Sequence, residues 1–447
     1  MRYFGTDGIR GTYGRFPMTE AFATQLGRAV TVFLRKTAAK TLVVGRDTRF
    51  SGESLTHALC RGLSETVNIL DLGILPTPAV SQAILALKAD LGVVITASHN
   101  PSSDNGFKLL GSGGQKLPDA ALMFLEEQIE NSLSASDFKG PSWQHFPKVR
   151  PEYFGDSYVA WLQNFLPKKC SLKRLVIDAA NGATSDFLEK VFSHLGCDVI
   201  YTAREPNGYN INDAVGSEHT EFLSEQILKH KADLGIAFDG DGDRCVICDD
   251  LGRRIPGDQV LGILALDLER RGILAHHQCV ATIVSNLGLD HSLKYHGVQV
   301  LRSDVGDAQV WNQILASGSN FGGESSGHII FKDIAPCGDG MLTAIMFLSL
   351  LSRSEVSLKE LQREIALFPQ KICNLKVIQK VPFEELVGFQ EGCQQLQEHM
   401  ACEGRVLVRY SGTELKIRLL VEALEETVVE ETMILLKKWV AKYIKLA

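Results

Sequence analysis

Ala89-Asp90-Leu91-Gly92-Val93-Val94-Ile95-Thr96 runs directly into Ala97-Ser98-His99-Asn100-Pro101, and Ala232-Asp233-Leu234-Gly235-Ile236-Ala237-Phe238-Asp239 runs directly into Gly240-Asp241-Gly242-Asp243-Arg244. Each apolar run is short and ends in a polar loop, the pattern of a buried strand. Pro101 forbids a helix immediately upstream and biases Asn100 towards extended backbone. The echo predicts two copies of one α/β unit. Each copy presents its loop at the carboxyl end of a strand, where open α/β sheets bind ligands. One copy then delivers a serine that can act as a nucleophile beside His99 and Asn100. The other delivers three carboxylates.

Working outward, residues 41–44 and 91–96 read as strands and 53–65 as a helix, an alternation that points to a mostly parallel sheet. The stretch 132–151, rich in Ser, Pro and Lys, reads as a linker. A second unit starts near Tyr153, holds a strand at 175–178 and ends at 245–248, with Asp250-Leu251-Gly252 as a hairpin turn. A third begins near Pro256, with a strand at 280–284 and a buried helix at 341–351. Beyond Pro369 the pattern becomes strand, helix (383–399), strand (405–410), strand (417–421) and a helix from Glu425, a smaller α+β unit. The expected division is therefore 1–150, 151–255, 256–368 and 369–447: three α/β units and one α+β unit.

A chain of 447 residues is too long for one core, which agrees with several domains. Hydrophobic content of 45% and charged content of 22% are those of a soluble globular protein. The net charge is −7 with no basic block, so neither nucleic acid nor an anionic membrane is an expected partner. The start, Met1-Arg2-Tyr3-Phe4-Gly5, carries no apolar signal region, and 341–351 is too short to span a bilayer. Ten scattered cysteines suit reduced thiols in a cytoplasm. Cys245 and Cys248 lie in a strand, where positions three apart face opposite sides, so they do not form a zinc pair.

The loops carry the chemistry. Asp239, Asp241 and Asp243 repel one another unless a cation joins them, and oxygen-only ligands suit Mg²⁺. An EF-hand is excluded, because its sixth position, a glycine, is Arg244 here and its twelfth, a glutamate, is Asp250. Phe4-Gly5-Thr6-Asp7-Gly8-Ile9-Arg10-Gly11 is a glycine-rich loop ending in a cation, suited either to phosphate or to a plain structural turn. Gly45-Arg46-Asp47-Thr48-Arg49 reads as a polar loop after a strand, with structure as its simplest purpose. Gly322-Gly323-Glu324-Ser325-Ser326-Gly327-His328 offers the paired donors and acceptors that sugar hydroxyls need. Arg409-Tyr410-Ser411-Gly412-Thr413-Glu414 with Arg418 reads as a phosphate clamp. Phosphoryl transfer to or from a sugar is the simplest reaction that uses a nucleophile, a hard metal, a polyol reader and a phosphate clamp together.

Five stretches in order along nearly the whole chain, Phe4–Gly11, Thr96–Pro101, Asp239–Arg244, Gly322–His328 and Arg409–Arg418, resemble the motifs of the α-D-phosphohexomutases, and most closely those of the branch acting on glucosamine phosphates. The resemblance implies four domains around a central cleft, with mixed sheets in the three similar α/β units. It implies that Ser98 is the phosphoserine, and that Asp239, Asp241, Asp243 and the serine phosphate hold one Mg²⁺ per chain. It further implies that Arg244, Glu324, Ser326 and His328 contact the sugar. Arg409, Ser411, Gly412, Thr413 and Arg418 would bind the non-reacting phosphate. Arg10, Lys108 and His328 would assist proton transfer and charge stabilisation. The implied reaction interconverts glucosamine 6-phosphate and glucosamine 1-phosphate through a bisphosphate. It is primed by glucosamine or glucose 1,6-bisphosphate and feeds amino-sugar nucleotide and cell-wall precursor synthesis. The implied setting is cytoplasmic, with a small phosphosugar as partner and a homodimer as one assembly to expect. Three positions depart from the family pattern. Ser325 stands where this branch carries Gln and mannose or glucose mutases carry Met; Tyr410 and Leu415 stand where prolines are usual; Ala308-Gln309 replaces Arg-Tyr. The rival activities are a phosphomannomutase or phosphoglucomutase and a Mg²⁺-dependent sugar-phosphate phosphatase.

Overall fold

A computed structural model describes residues 2–5, 7–134, 149–400, 404–411 and 415–447. Within it the strand expected at 91–96 is Leu91–Ile95, and its echo is Leu234–Phe238; every residue of both is buried. The first sheet contains β1 (Ile9–Thr12), β2 (Thr41–Arg46), β3 (Asn68–Ile74), β4 (Leu91–Ile95), β5 (Asp104–Gly111) and β6 (Val149–Pro151), in the order β1-β5-β4-β2-β3-β6. The second contains β7 (Arg174–Asp178), β8 (Asp198–Thr202), β9 (Leu234–Phe238) and β10 (Cys245–Cys248), in the order β10-β9-β7-β8. The third contains β11 (Gln278–Thr282), β12 (Gln299–Ser303), β13 (Phe321–Gly323) and β14 (Ile329–Phe331), in the order β12-β11-β13-β14.

One topology recurs three times. Three parallel strands are followed by a fourth that runs antiparallel: β3-β2-β4 with β5, β8-β7-β9 with β10, and β12-β11-β13 with β14. The chain turns back between the last two strands of each set. Those three turns are the Ser98 loop, the Asp239–Asp243 loop and the Glu324–His328 loop. The sheets are thus mixed because each functional loop is a reversal of chain direction and not a crossover. Cys245 and Cys248 face opposite sides of β10: Cys245 packs with Ile247 and Ile255, and Cys248 with Leu223 and Ile227. All nine cysteines among the described residues are free thiols.

The three sheets share one continuous apolar core, running from Val43 and Ala79 through Leu175 and Phe192 to Cys279 and Phe347. At its centre lies the helix Gly340–Arg353, buried along its whole length from Gly340 to Leu351. No single helix among the described residues is long and apolar enough to cross a membrane. The fourth unit has its own core around Phe389, Val421 and Leu436, under the antiparallel sheet β15 (Gln370–Lys376), β17 (Lys416–Ala423) and β16 (Gly404–Tyr410). It is tied to the third unit by Arg405, which pairs with Glu422 at 2.6 Å and donates to the carbonyls of Ile283 and Ser285, each at 2.8 Å. A shared core makes the first three units one packed body, and the fourth packs around a core of its own.

Two sequence expectations are corrected. The single helix at 383–399 is a short turn, Phe383–Glu385, and a separate helix, Phe389–His399, because Gly388 adopts a left-handed φ of 82° between them. The strand at 280–284 ends at Thr282, where the carbonyls of Thr282 and Ile283 are taken by Arg302 and Arg405. The linker at 132–151 falls largely outside the described residues; the helix Asp119–Ser134 covers its start and β6 its end.

Candidate active site

Ser98 sits just past β4, as the position of Pro101 requires. Its backbone is left-handed (φ 51°), a conformation that costs a non-glycine residue about 1 kcal/mol or more and therefore needs support from its surroundings. The Ser98 amide donates to Thr96 Oγ1 at 2.9 Å. Its hydroxyl donates to Asp239 Oδ2 at 2.6 Å and lies 3.3 Å from His99 Nδ1. Position 240 admits only glycine, because a Cβ there would lie 2.6 Å from the Ser98 carbonyl oxygen. The structure thus brings the serine of one copy against the aspartates of the other.

Asp239, Asp241 and Asp243 offer ligand oxygens within 4.8 Å of one another, and all three side chains are buried. Lys108, projecting from β5, donates to Asp241 Oδ2 and Asp243 Oδ2, each at 2.7 Å. Thr77 Oγ1 donates to the same Asp241 oxygen at 2.5 Å. The Arg244 amide donates to Asp239 Oδ1 at 3.2 Å, and its guanidinium Nε stands 4.0 Å from Asp239 and 3.9 Å from Asp243. Burial, then Asp243 and Asp241, push the Asp239 carboxyl well above the usual range. Burial acts the same way on Asp243, but Lys108, His328 and Arg244 outweigh it and hold that carboxyl well below. Asp241 is likewise lowered against its burial, chiefly by Lys108. Asp241 Oδ1 and Asp243 Oδ1 are buried without a hydrogen-bond donor among the described residues. Three buried carboxylates converging within reach of one ion, two of them with an orphaned oxygen, fit a hard divalent cation.

The third loop completes the wall. Glu324 Oε1 accepts from the Gly306 amide at 3.0 Å, and the Ser326 hydroxyl is buried without a partner among the described residues. His328 is set by the Gly338 amide, which donates to Nε2 at 3.2 Å and leaves Nδ1 3.7 Å from Asp243. Arg10 pairs with Asp7 and donates to Asn100 Oδ1 at 3.3 Å. From the fourth unit, Arg409 and Arg418 stand opposite each other across β16 and β17. Burial, then the neighbouring Arg418, lower the Arg409 pKa, so an anion between them is favoured. A cavity of about 270 Å³ is lined by Asp243, Arg244, Glu324, Ser326, Arg409 and Arg418, together with His328. A cleft of about 890 Å³ brings Lys108, Ser411, Arg409 and Arg418 together. Ser98, Asp239 and Arg10 line neither space. Gly412 and Thr413 lie outside the described residues.

Several contributors escaped the sequence reading. Arg49 was visible only as part of a polar loop, yet its side chain is fully buried and pairs with Asp47 at 2.9 Å. Thr77 and Asn212 carry no motif. Lys116 pairs with Asp7 and, at 2.6 Å, with Asp307, joining the first unit to the third across the cleft. Only Asp47-x-Arg49, a charged pair directly after a strand, left a signal that could have been read.

Comparison with known proteins agrees with this arrangement. Residues 1–138, 156–252 and 256–368 match the phosphoglucomutase/phosphomannomutase alpha/beta/alpha domains I, II and III, and residues 368–433 match the C-terminal domain of the same family. The chain is 41% identical over 432 residues to the phosphoglucosamine mutase of Pediococcus pentosaceus, covering 95% of this chain and 94% of that one. It is 38% identical over 451 residues to the phosphoglucosamine mutase of Campylobacter concisus, covering 99% of each. Among solved structures, a phosphoglucomutase/phosphomannomutase family protein of Burkholderia thailandensis superposes with a TM-score of 0.81 at 25% identity, covering 99% of this chain and 98% of that one. The N-acetylphosphoglucosamine mutase of Aspergillus fumigatus, solved with GlcNAc-6P and magnesium, shares the fold with a TM-score of 0.65 at 17% identity, covering 99% of this chain and 96% of that one. The chain belongs to the phosphoglucomutase/phosphomannomutase family, the α-D-phosphohexomutases.

Proposed function

We propose that this enzyme interconverts glucosamine 6-phosphate and glucosamine 1-phosphate with Ser98 as the phosphoryl carrier. The observation that carries the reading is the 2.6 Å contact between the Ser98 hydroxyl and the buried aspartate cluster, whose Asp243 lines one cavity with the two facing arginines Arg409 and Arg418. Phosphorylated Ser98 gives its phosphoryl group to the free sugar oxygen: that O–P bond forms, the Ser98 Oγ–P bond breaks, and the proton given up by the sugar hydroxyl is made up on the released Ser98 Oγ. The bisphosphate then turns over in the cleft, and Ser98 takes the other phosphoryl group back.

Lys108 and Arg10 balance negative charge beside the serine loop, and His328, with its ring fixed by Gly338, is placed to move a proton. Arg244, Glu324, Ser326 and His328 orient the sugar. Arg409, Ser411, Gly412, Thr413 and Arg418 hold whichever phosphate is not reacting. Mg²⁺, held by Asp239, Asp241, Asp243 and the serine phosphate, supplies neutralising charge on the transferring phosphoryl oxygens when bound. The boundaries at 150, 255 and 368, priming by glucosamine or glucose 1,6-bisphosphate, and a cytoplasmic setting belong to the same reading.

The preference for the amino sugar rests on identities of 38–41% to phosphoglucosamine mutases over nearly the full chain. A coupled assay on glucosamine, glucose and mannose 6-phosphates, with phosphopeptide mass spectrometry on Ser98, tests it. Equal specificity constants for glucosamine and glucose would move the substrate to a phosphoglucomutase. Near-normal turnover by Ser98→Ala would remove the carrier.

A further inference from the structure

The serine loop is gripped from two sides, through its backbone carbonyls. From the first unit, the buried Arg49 guanidinium donates to four backbone carbonyls of this loop: Ser98 at 3.0 Å, Asn100 at 2.8 Å, Asp104 at 2.9 Å, and Pro101. Its charge is balanced by Asp47, whose Oδ2 also accepts from Thr96 Oγ1 at 2.6 Å. From the second unit, the Asn212 amide donates to two of the same carbonyls, Ser98 at 2.8 Å and Asn100 at 3.0 Å. Thr48 ties the two sides together by donating to the Asn181 carbonyl at 2.6 Å.

We propose that Arg49 and Asn212 are positioning residues for phosphoryl transfer: together they fix the Ser98 peptide in its left-handed conformation and hold its hydroxyl in register with Asp239. The proposal rests on Ser98 being the phosphoryl carrier. The reasoning is geometric. A serine at φ 51° relaxes towards ordinary extended or helical backbone when its carbonyl is released. That relaxation turns the Cα–Cβ bond and carries Oγ away from the aspartates. A planar guanidinium with five donors can collect several converging carbonyls at once, and no other side chain has this reach. Because Asn212 comes from the second unit, it also locks the serine loop to the unit that carries Asp239, Asp241 and Asp243. The same loop must both give and accept a phosphoryl group in each cycle, so a small displacement of Oγ penalises both transfers. Misplacement by about 1 Å lowers a reaction rate by about a hundredfold.

The test measures steady-state kinetics, thermal midpoint and single-turnover phosphorylation of Ser98 by glucose 1,6-bisphosphate for Arg49→Met, Arg49→Lys, Asn212→Ala and Ser98→Ala. Arg49→Met is expected to lose about a hundredfold in kcat and in the phosphorylation rate, with KM within about twofold of the parent. Asn212→Ala, which leaves Arg49 in place, is expected to lose about tenfold in kcat with an unchanged thermal midpoint. Arg49→Lys keeps the charge but not the fork, and is expected to stay at least tenfold down. Full activity in Arg49→Lys, or an unchanged kcat in Asn212→Ala, overturns the proposal; if the Arg49 variants do not fold, Asn212→Ala decides alone. Ser98→Ala separates the two readings: if it is inactive while the Arg49 and Asn212 variants are normal, only the positioning role fails, and if it turns over normally the carrier itself is wrong.

Discussion

Replacing Lys108 with methionine should make the aspartate cluster bind Mg²⁺ more tightly, although Lys108 stands in the active site. Its ammonium makes two charge-assisted hydrogen bonds of 2.7 Å, to Asp241 and Asp243, and lies 3.6 Å from Asp7. It is the strongest source of positive charge acting on Asp241, and it heads the groups that lower Asp243. A cation entering the cluster therefore meets carboxylates whose charge is already partly spent on a neighbour. A hydrogen bond between charged groups contributes roughly 1.5–3 kcal/mol, and each 1.4 kcal/mol is a factor of ten in affinity. Methionine has similar length without charge, so removing the competitor should tighten Mg²⁺ binding by roughly ten- to hundredfold. Titration calorimetry on chelator-stripped protein, parent against Lys108→Met, measures this directly. In chelator the variant leaves buried carboxylates short of a partner and should lose about 3–5 kcal/mol of stability, a loss that Mg²⁺ reverses in large part. Weaker or unchanged Mg²⁺ binding in Lys108→Met would show that the lysine and the ion do not share these carboxylates.

Chelation should stop turnover and Mg²⁺ restore it; Asp241→Asn, which loses a charged oxygen, should need more Mg²⁺ for half-maximal activity, and full activity in excess chelator would contradict the aspartate-cluster reading. Arg418→Ala should raise KM for the sugar phosphate by roughly ten- to hundredfold and lower kcat as well, because about 1.5–3 kcal/mol of remote binding positions the reacting end; an unchanged KM would place the phosphate elsewhere. Asp178 gives a pH dependence. Burial raises its pKa to about 6 against the backbone amides of Ala180 and Gly216, which donate to it at 2.7 and 2.9 Å. A folded-state pKa above the unfolded one stabilises fully below about pH 4, and this contribution is lost as pH rises through about 6. Relative to Asp178→Asn, the parent should therefore lose about 3 kcal/mol of stability between pH 4 and 8, measured by hydrogen exchange across residues 174–238; a pH-independent difference between the two proteins would argue against a raised Asp178.

Sequence alone determined the parts of this protein that depend on neighbours along the chain. Leu91–Ile95 and Leu234–Phe238 were legible as strands because five apolar residues in a row can only be buried, and their loops were legible because Pro101 and the glycines beside Asp241 and Asp243 forbid continuation. Ser98, the three aspartates, Glu324 and the Arg409–Arg418 pair stood out as candidates for a similar reason: each sits in a short run of polar residue types whose chemistry can be read locally, beside a plain structural reading. The threefold recurrence was half legible. The third loop leaves a strand of only three residues, Phe321–Gly323, too short for its periodicity to show. The split at Gly388 was missed because an isolated glycine in a helical pattern is usually tolerated, and only the backbone shows it in the left-handed region.

Tertiary structure decided everything that depends on distance through space. Arg49 and Asp47 are two charges in a polar loop until folding buries them, and only then must the guanidinium find the carbonyls of the serine loop, because a buried charge without partners costs more than the fold can bear. Lys108 lies more than a hundred residues from Asp241 and Asp243, and its role exists only because β5 runs antiparallel to β4 and aims it at the loop of another unit. Sequence could name candidate groups for the chemistry, since their types and spacing are local. The groups that hold them in place act through contacts between distant segments, and a linear pattern carries no record of those.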